Sequence, residues 1–258
     1  MAGSPSAPRT HARTYEGIGP AAIVHRKRLA AIEQLLGRIE VGSSGEVADF
    51  CCSDGFILSV LQERILSGPG WSFHGFDHSE RLLEVARGRN LPRTTFGRLN
   101  LNEGPVDEPR QFDVVTCFET LEHVGDYRNA LRCLVASCRP GGWLVMSVPN
   151  EIGVPGLVKY AGRRILRRRA YGDFFASHRE SSYVTALLAG RPIEPFRQPP
   201  RNSWGPHLGF DWRRLVAFVD DEFATPDGLR LEHRSTAALG FGYLFAFRRL
   251  PAAPQPSM

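Results

Sequence analysis

The sequence predicts an α/β fold: a doubly wound, mostly parallel seven-stranded sheet with a helical insertion after the fifth strand. Three observations point there. Short apolar runs alternate with amphipathic stretches along most of the 258 residues, the order that builds parallel strands joined by crossover helices. The runs Phe112 to Phe118 and Gly142 to Val148 are nearly continuous in apolar residues, as strands covered on both faces are. One strand, Glu46 to Phe50, passes through a string of small residues straight into a helix from about Asp54, the kind of junction that opens a ligand crevice in such sheets.

Taken in order, Ala21 to Leu36 carries Ile23, Val24, Leu29, Ile32, Leu35 and Leu36 on an imperfect helical stripe ending near Gly37. After the first strand and its helix, Trp71 to Phe76 is a strand closing on Asp77, and Ser79 to Arg87 a helix with Ser79 as N-cap. Thr94 to Leu99 is the third strand. Tyr127 to Cys138 is a helix between the fourth and fifth strands, stopped by Arg139 to Gly142. Leu229 to Arg234 and Gly240 to Arg248 close the sheet, the last alternating as an antiparallel partner does. The domain is expected over 20–250, with the insertion at 151–209 and flexible tails at 1–19 and 251–258.

With 42% hydrophobic residues the chain can bury one substantial core. The formal charge of +5 suggests anionic partners where the arginines cluster. Five cysteines without a C-x-x-C pair argue against a disulfide scaffold or a zinc ribbon and for a reduced, cytoplasmic setting. No window holds about 20 apolar residues, so no membrane span is expected.

The stretch EVADFCCSDGF, Glu46 to Phe56, places backbone N–H groups and a helix N-terminus beside whatever binds there. It lacks the G-x-G-x-x-G of dinucleotide sites. It resembles motif I of the class I S-adenosylmethionine (SAM) methyltransferases, with Asp49 as the acid and Gly55 as the last glycine. Cys51 and Ser53 stand where that family has its first two glycines. A left-handed backbone at Cys51 costs a side chain about 1–2 kcal/mol relative to glycine, so a slightly altered turn and weaker cofactor binding are expected. The resemblance implies that Asp77 accepts the ribose hydroxyls, with His78 beside it. It also implies that Asn100 meets the adenine amine and that Phe118 lines the methionine side.

After the fourth strand, ETLEHV (Glu119 to Val124) is expected to begin a helix, which would put Glu119, Glu122 and His123 on one face. Two carboxylates and an imidazole can chelate a divalent cation. Glutamates also suit a helix N-terminus for dipole reasons alone. The Leu-Glu-His-Val pattern resembles the ubiquinone-biosynthesis type of O-methyltransferase. The fuller Glu-x-x-Glu-His, with SVPNE and HLGFDW (His207 to Trp212), resembles the small-RNA 3′-terminal 2′-O-methyltransferases. That likeness implies Mg²⁺ or Mn²⁺ held by Glu119, Glu122, His123 and His207, with His178 as a substitute for the fourth ligand. Without a metal, His123 or His207 is the general base.

In the insertion, Val154, Leu157, Val158, Ala161 and Ile165 form an apolar helical stripe, with Lys159, Arg163, Arg164, Arg167 and Arg168 largely opposite. Such a helix, spanning 154–169, can touch an anionic membrane surface, nucleic acid or an anionic glycan, or can cap the site. The Pro-rich run Arg191 to Pro206, with Tyr183, Phe196 and Trp204 nearby, reads as a substrate lid. The expected activity is SAM-dependent O-methylation of a sugar, glycan or natural-product intermediate. Its rivals are a lipid-linked catechol, an RNA 3′ end, and a noncatalytic protein of the same fold.

Overall fold

A computed structural model describes residues 15, 19–104, 110–166, 175, 178–197 and 208–251. Seven strands, β1 (Ser44–Phe50), β2 (Gly70–Asp77), β3 (Thr94–Arg98), β4 (Phe112–Phe118), β5 (Cys138–Pro149), β6 (Leu229–Ala237) and β7 (Gly242–Arg249), form one sheet in the order β3-β2-β1-β4-β5-β7-β6. β1 runs parallel to β2 and β4, and β4 to β5, while β7 is antiparallel to β5 and β6. The doubly wound sheet is therefore as predicted. Because the chain proceeds from β1 toward one edge and from β4 toward the other, the loops after these two strands diverge and leave a crevice at their carboxyl ends.

The helices are α1 (Pro20–Leu36), α2 (Phe56–Val60, continued by a wider π turn over Leu61–Ile65), α3 (Glu80–Arg87), α4 (Tyr127–Ser137), α5 (Gly153–Leu166), α6 (Glu180–Leu188) and α7 (Trp212–Glu222). Alternating strand residues feed two cores. Phe50, Val115, Met146 and Phe245 pack with Leu131 and Leu134 of α4 and with Leu215 and Val219 of α7. Val47, Val114, Val145 and Leu244 face the other way, onto Ile32 and Leu35 of α1, Leu58 of α2 and Leu83 of α3. The near-continuous apolar strands are the consequence, since both faces are covered. No helix among the described residues is long and apolar enough to cross a membrane.

α5 forms where its spacing predicts a helix, with the stripe divided: Leu157 packs on the insertion's core, whereas Val154, Val158 and Ile165 are 72%, 52% and 76% exposed. The side facing inward carries cations. Lys159 Nζ donates to Glu151 Oε1 at 3.0 Å, and Arg163 grips both oxygens of the same carboxylate at 2.8 and 2.9 Å. Glu151 follows β5 directly and is 1% exposed. A buried carboxylate without counter-charge costs several kcal/mol, more than leaving a few aliphatic side chains in water, so the charge decides the orientation. Arg164 pairs with Glu180 of α6, and Arg167 and Arg168 lie outside the described residues.

Gly156 permits this close approach, because a Cβ there would lie 2.3 Å from the Glu151 carbonyl oxygen. Gly156→Ala is expected to shift α5 and to lower stability by about 1–3 kcal/mol, as overpacking does. Urea denaturation followed by circular dichroism checks this. An unchanged midpoint would refute the contact. The insertion has its own small core of Ile152, Tyr183, Leu187, Ile193 and Leu208.

Candidate active site

The turn after β1 keeps a left-handed backbone at three alternate positions: Cys51 (φ 60°), Ser53 (φ 53°) and Gly55 (φ 71°). Two side chains occupy conformations that favour glycine, at about 1–2 kcal/mol each, and the surroundings hold them there. The Cys52 N–H donates to the Phe76 carbonyl at 2.9 Å, the Ser53 N–H to Asp77 Oδ2 at 2.9 Å and the Gly55 N–H to the Cys52 carbonyl at 2.9 Å. Cys51 also packs against the core.

Asp77, at the end of β2, ties this turn to the next one. Its Oδ1 accepts the Ser79 N–H at 2.9 Å and lies 3.2 Å from His78 Nδ1. Each carboxylate oxygen has a second lone pair, so a diol can still be received. Asp49 is 3% exposed and accepts the Thr116 hydroxyl at 2.7 Å. Burial pushes its carboxyl up to about 7, opposed by the Thr116 bond and assisted by the charge of Asp77.

Asn100, which the resemblance places against the adenine amine, is engaged within its own turn. Its Oδ1 accepts the backbone and side-chain N–H groups of Asn102 at 3.1 and 3.3 Å, and its Nδ2 donates to Glu103. It caps the short turn Leu101–Glu103, as Asn does wherever its side chain can close on its own backbone. Phe118 ends β4, half-buried against the core.

ETLEHV is not helical. α4 begins only at Tyr127, with Asp126 as N-cap accepting the N–H groups of Arg128 and Asn129. Glu119 instead has a left-handed backbone (φ 50°), and its N–H and carboxylate both engage Ser147. Its Oε2 pairs with Arg28 Nη2 of α1 at 2.9 Å. Glu122 turns inward, 2% exposed, with Oε2 buried and unpartnered among the described residues. His123 Nε2 is 3.9 Å from Glu122 Oε1. Among the described residues no three His, Cys, Asp or Glu side chains gather to hold a metal ion, so Glu119, Glu122 and His123 do not form the expected cluster by themselves. Glu119 is drawn off by Arg28, His178 packs edge-on against Phe196, and His207 lies outside the described residues.

Sequence reasoning missed several participants. Arg28 and Tyr15, which stacks on Phe56 at 4.7 Å, bring α1 and the segment before it across the crevice. Arg197 reaches the loop after β4, where its Nη2 donates to the Val124 carbonyl at 2.8 Å. α7 was also unread. Asp211, which caps it, was absorbed into the HLGFDW pattern, although Leu215 and Val219 have helical spacing.

A left-handed turn after β1, an acid ending β2 and an open carboxyl edge form one type of cofactor site, and the methyltransferase domain profile matches residues 21–186. The chain belongs to the methyltransferase domain family. Its SAM dependence follows from that membership. A ubiquinone biosynthesis O-methyltransferase from Bordetella bronchiseptica is 31% identical over 194 residues, 69% of this chain and 77% of that protein. One from Xanthomonas euvesicatoria is 26% identical over 74% of this chain and 84% of that protein. Those from Bordetella pertussis and Bordetella avium are matched over 53% of their length. Among solved structures, a SAM-dependent methyltransferase from Aquifex aeolicus superposes with TM-score 0.55 at 13% identity, covering 91% of this chain and all of that one. Magnesium protoporphyrin IX methyltransferase from Synechocystis, with bound S-adenosylhomocysteine (SAH), gives 0.55 at 15% identity over 92% of each chain. These two likenesses concern the fold.

In this methyltransferase Asp49 predicts a pH effect. The sulfonium of SAM is cationic and favours an ionised neighbour, whereas SAH has a neutral sulfur. As pH rises through about 7, Asp49 ionises, so SAM affinity is expected to gain relative to SAH. The stability effect has the opposite sign. A carboxyl raised in the folded state binds its proton more tightly than in the unfolded chain, so its contribution declines from pH 4 toward 7. Calorimetric titration of both ligands between pH 5.5 and 8 checks the first effect. A constant SAM-to-SAH ratio would remove Asp49 from the methionine end.

Proposed function

We propose that the chain transfers a methyl group from SAM to a phenolic or catechol hydroxyl of a small biosynthetic intermediate. The observation that carries this reading is the buried Glu122 carboxyl in the loop after β4, whose Oε2 has no partner among the described residues. It is supported by the 31% identical O-methyltransferase relative. Methyl transfer from a sulfonium is an in-line displacement, so the chain must align an oxygen and take its proton. Burial, with Glu119 nearby, holds the Glu122 carboxyl well above the usual range. That suits a base which receives a hydroxyl proton and retains it. His123 stands beside it as relay.

Asp49, the Cys51 to Gly55 turn, Asp77 and Phe118 would hold the cofactor. A sugar or glycan hydroxyl is favoured by no particular contact among the described residues. The noncatalytic reading rested on Cys51 and Ser53, whose backbone has the geometry a cofactor turn requires. Incubation with catechols and deuteromethyl SAM, read by mass spectrometry, tests the proposal. Labelled methyl ethers support it, whereas label on nitrogen or carbon alone overturns it.

A further inference from the structure

Arg197 follows the single turn Glu194–Phe196 and reaches back beneath the insertion. Its Nη2 is bound to the Val124 carbonyl, and its guanidinium lies 5.8 and 5.2 Å from the ring centres of Tyr127 and Phe210. Nη1 is buried without a partner among the described residues, as is Glu122 Oε2. The two groups are within electrostatic reach of one another. A bare guanidinium N–H and a bare carboxyl oxygen in the same interior space are costly to a folded chain, and are kept where a bound group completes them.

The surrounding charge indicates what that group is. Glu194 is shared by Arg128, Arg214 and the Tyr127 hydroxyl, while Glu151 is held by both Lys159 and Arg163. Arg197 Nη1 is left without such a carboxylate among the described residues. A carboxylate or phosphate oxygen satisfies it with a charge-assisted bond. A neutral acceptor supplies no such charge.

We infer that the molecule methylated here carries an anionic group, a carboxylate or a phosphate, bound by Arg197 Nη1 while its hydroxyl lies toward Glu122. The inference rests on the O-methyl reading above. Arg197 is then a specificity-determining residue.

The test supplies the full chain with labelled SAM and a low-molecular-weight extract of its native cells, then separates products by anion exchange before and after phosphatase treatment. Label is expected in the acidic fraction. If phosphatase moves it to the neutral fraction the group is a phosphate, and if not, a carboxylate. Arg197→Gln should lower kcat/KM on the acidic acceptor by about tenfold or more, chiefly through KM, with calorimetric SAM affinity unchanged. Arg197→Lys should recover part of the loss. Label confined to neutral products, or full activity of Arg197→Gln on the acidic acceptor, overturns the inference and leaves the O-methyl reading intact. SAM binding without oxygen methylation in any fraction overturns both. Should Arg197→Gln fail to bind SAM, the wild-type partition between acidic and neutral products decides alone.

Discussion

Asp77→Ala is expected to weaken SAM binding by roughly 10- to 150-fold, the equivalent of losing a charge-assisted acceptor worth about 1.5–3 kcal/mol. The residue bears on the cofactor twice. It is expected to receive the ribose hydroxyls, and it already holds the Ser53 and Ser79 N–H groups on its two oxygens. Removing it therefore loosens the strained turn as well as the ribose contact. Asp77→Asn separates the two effects, since one amide oxygen can retain one N–H bond while the charge is gone. Calorimetry with SAH measures the affinity, and equal affinity in wild type and Asp77→Ala would remove Asp77 from the cofactor site.

Glu122→Gln is expected to lower turnover by about 10²–10⁴, the usual contribution of a positioned base, while SAM affinity stays within experimental error. Glutamine preserves the shape and loses the proton acceptor, so an effect on kcat without one on cofactor binding points to chemistry rather than folding. Because burial and the nearby Glu119 hold this carboxyl well above its ordinary range, wild-type kcat should climb with pH as the group ionises. The variant should lose that limb of the profile. A Glu122→Gln enzyme with wild-type turnover and the same pH profile would assign proton removal elsewhere, with His123 the next residue to test.

The sheet was legible because its strands lie between two cores, so their sequence is apolar at nearly every position, and because Asp77 and Gly55 occur at strand and helix junctions. Cys51 and Ser53 were harder to interpret. Residue type alone implied a changed turn, but hydrogen bonds from Cys52 and Ser53 to β2 impose the left-handed backbone from outside the motif. The same is true of Glu119 and Glu122. Helical spacing brought them together on paper, whereas Arg28, more than 90 positions earlier, draws one away and the fold buries the other. α5 was legible as a helix, but the partner of its cations was not. Hydropathy spacing ignores a buried carboxylate at the end of the preceding strand, and Glu151 outweighs the aliphatic stripe.

The bond between Arg28 and Glu119 has a kinetic consequence. Tyr15 and α1 touch both walls of the crevice, Tyr15 on Phe56 beyond β1 and Arg28 on Glu119 beyond β4. A cofactor bound in that crevice would lie beneath them and would leave when that clasp opens. Residence time, and with it the rate at which spent SAH is exchanged for SAM, would then be set by how often a helix lifts rather than by how tightly the adenosine is held. Stopped-flow dissociation of SAH should be faster for Arg28→Ala than for the wild type, even where the two differ little in equilibrium affinity.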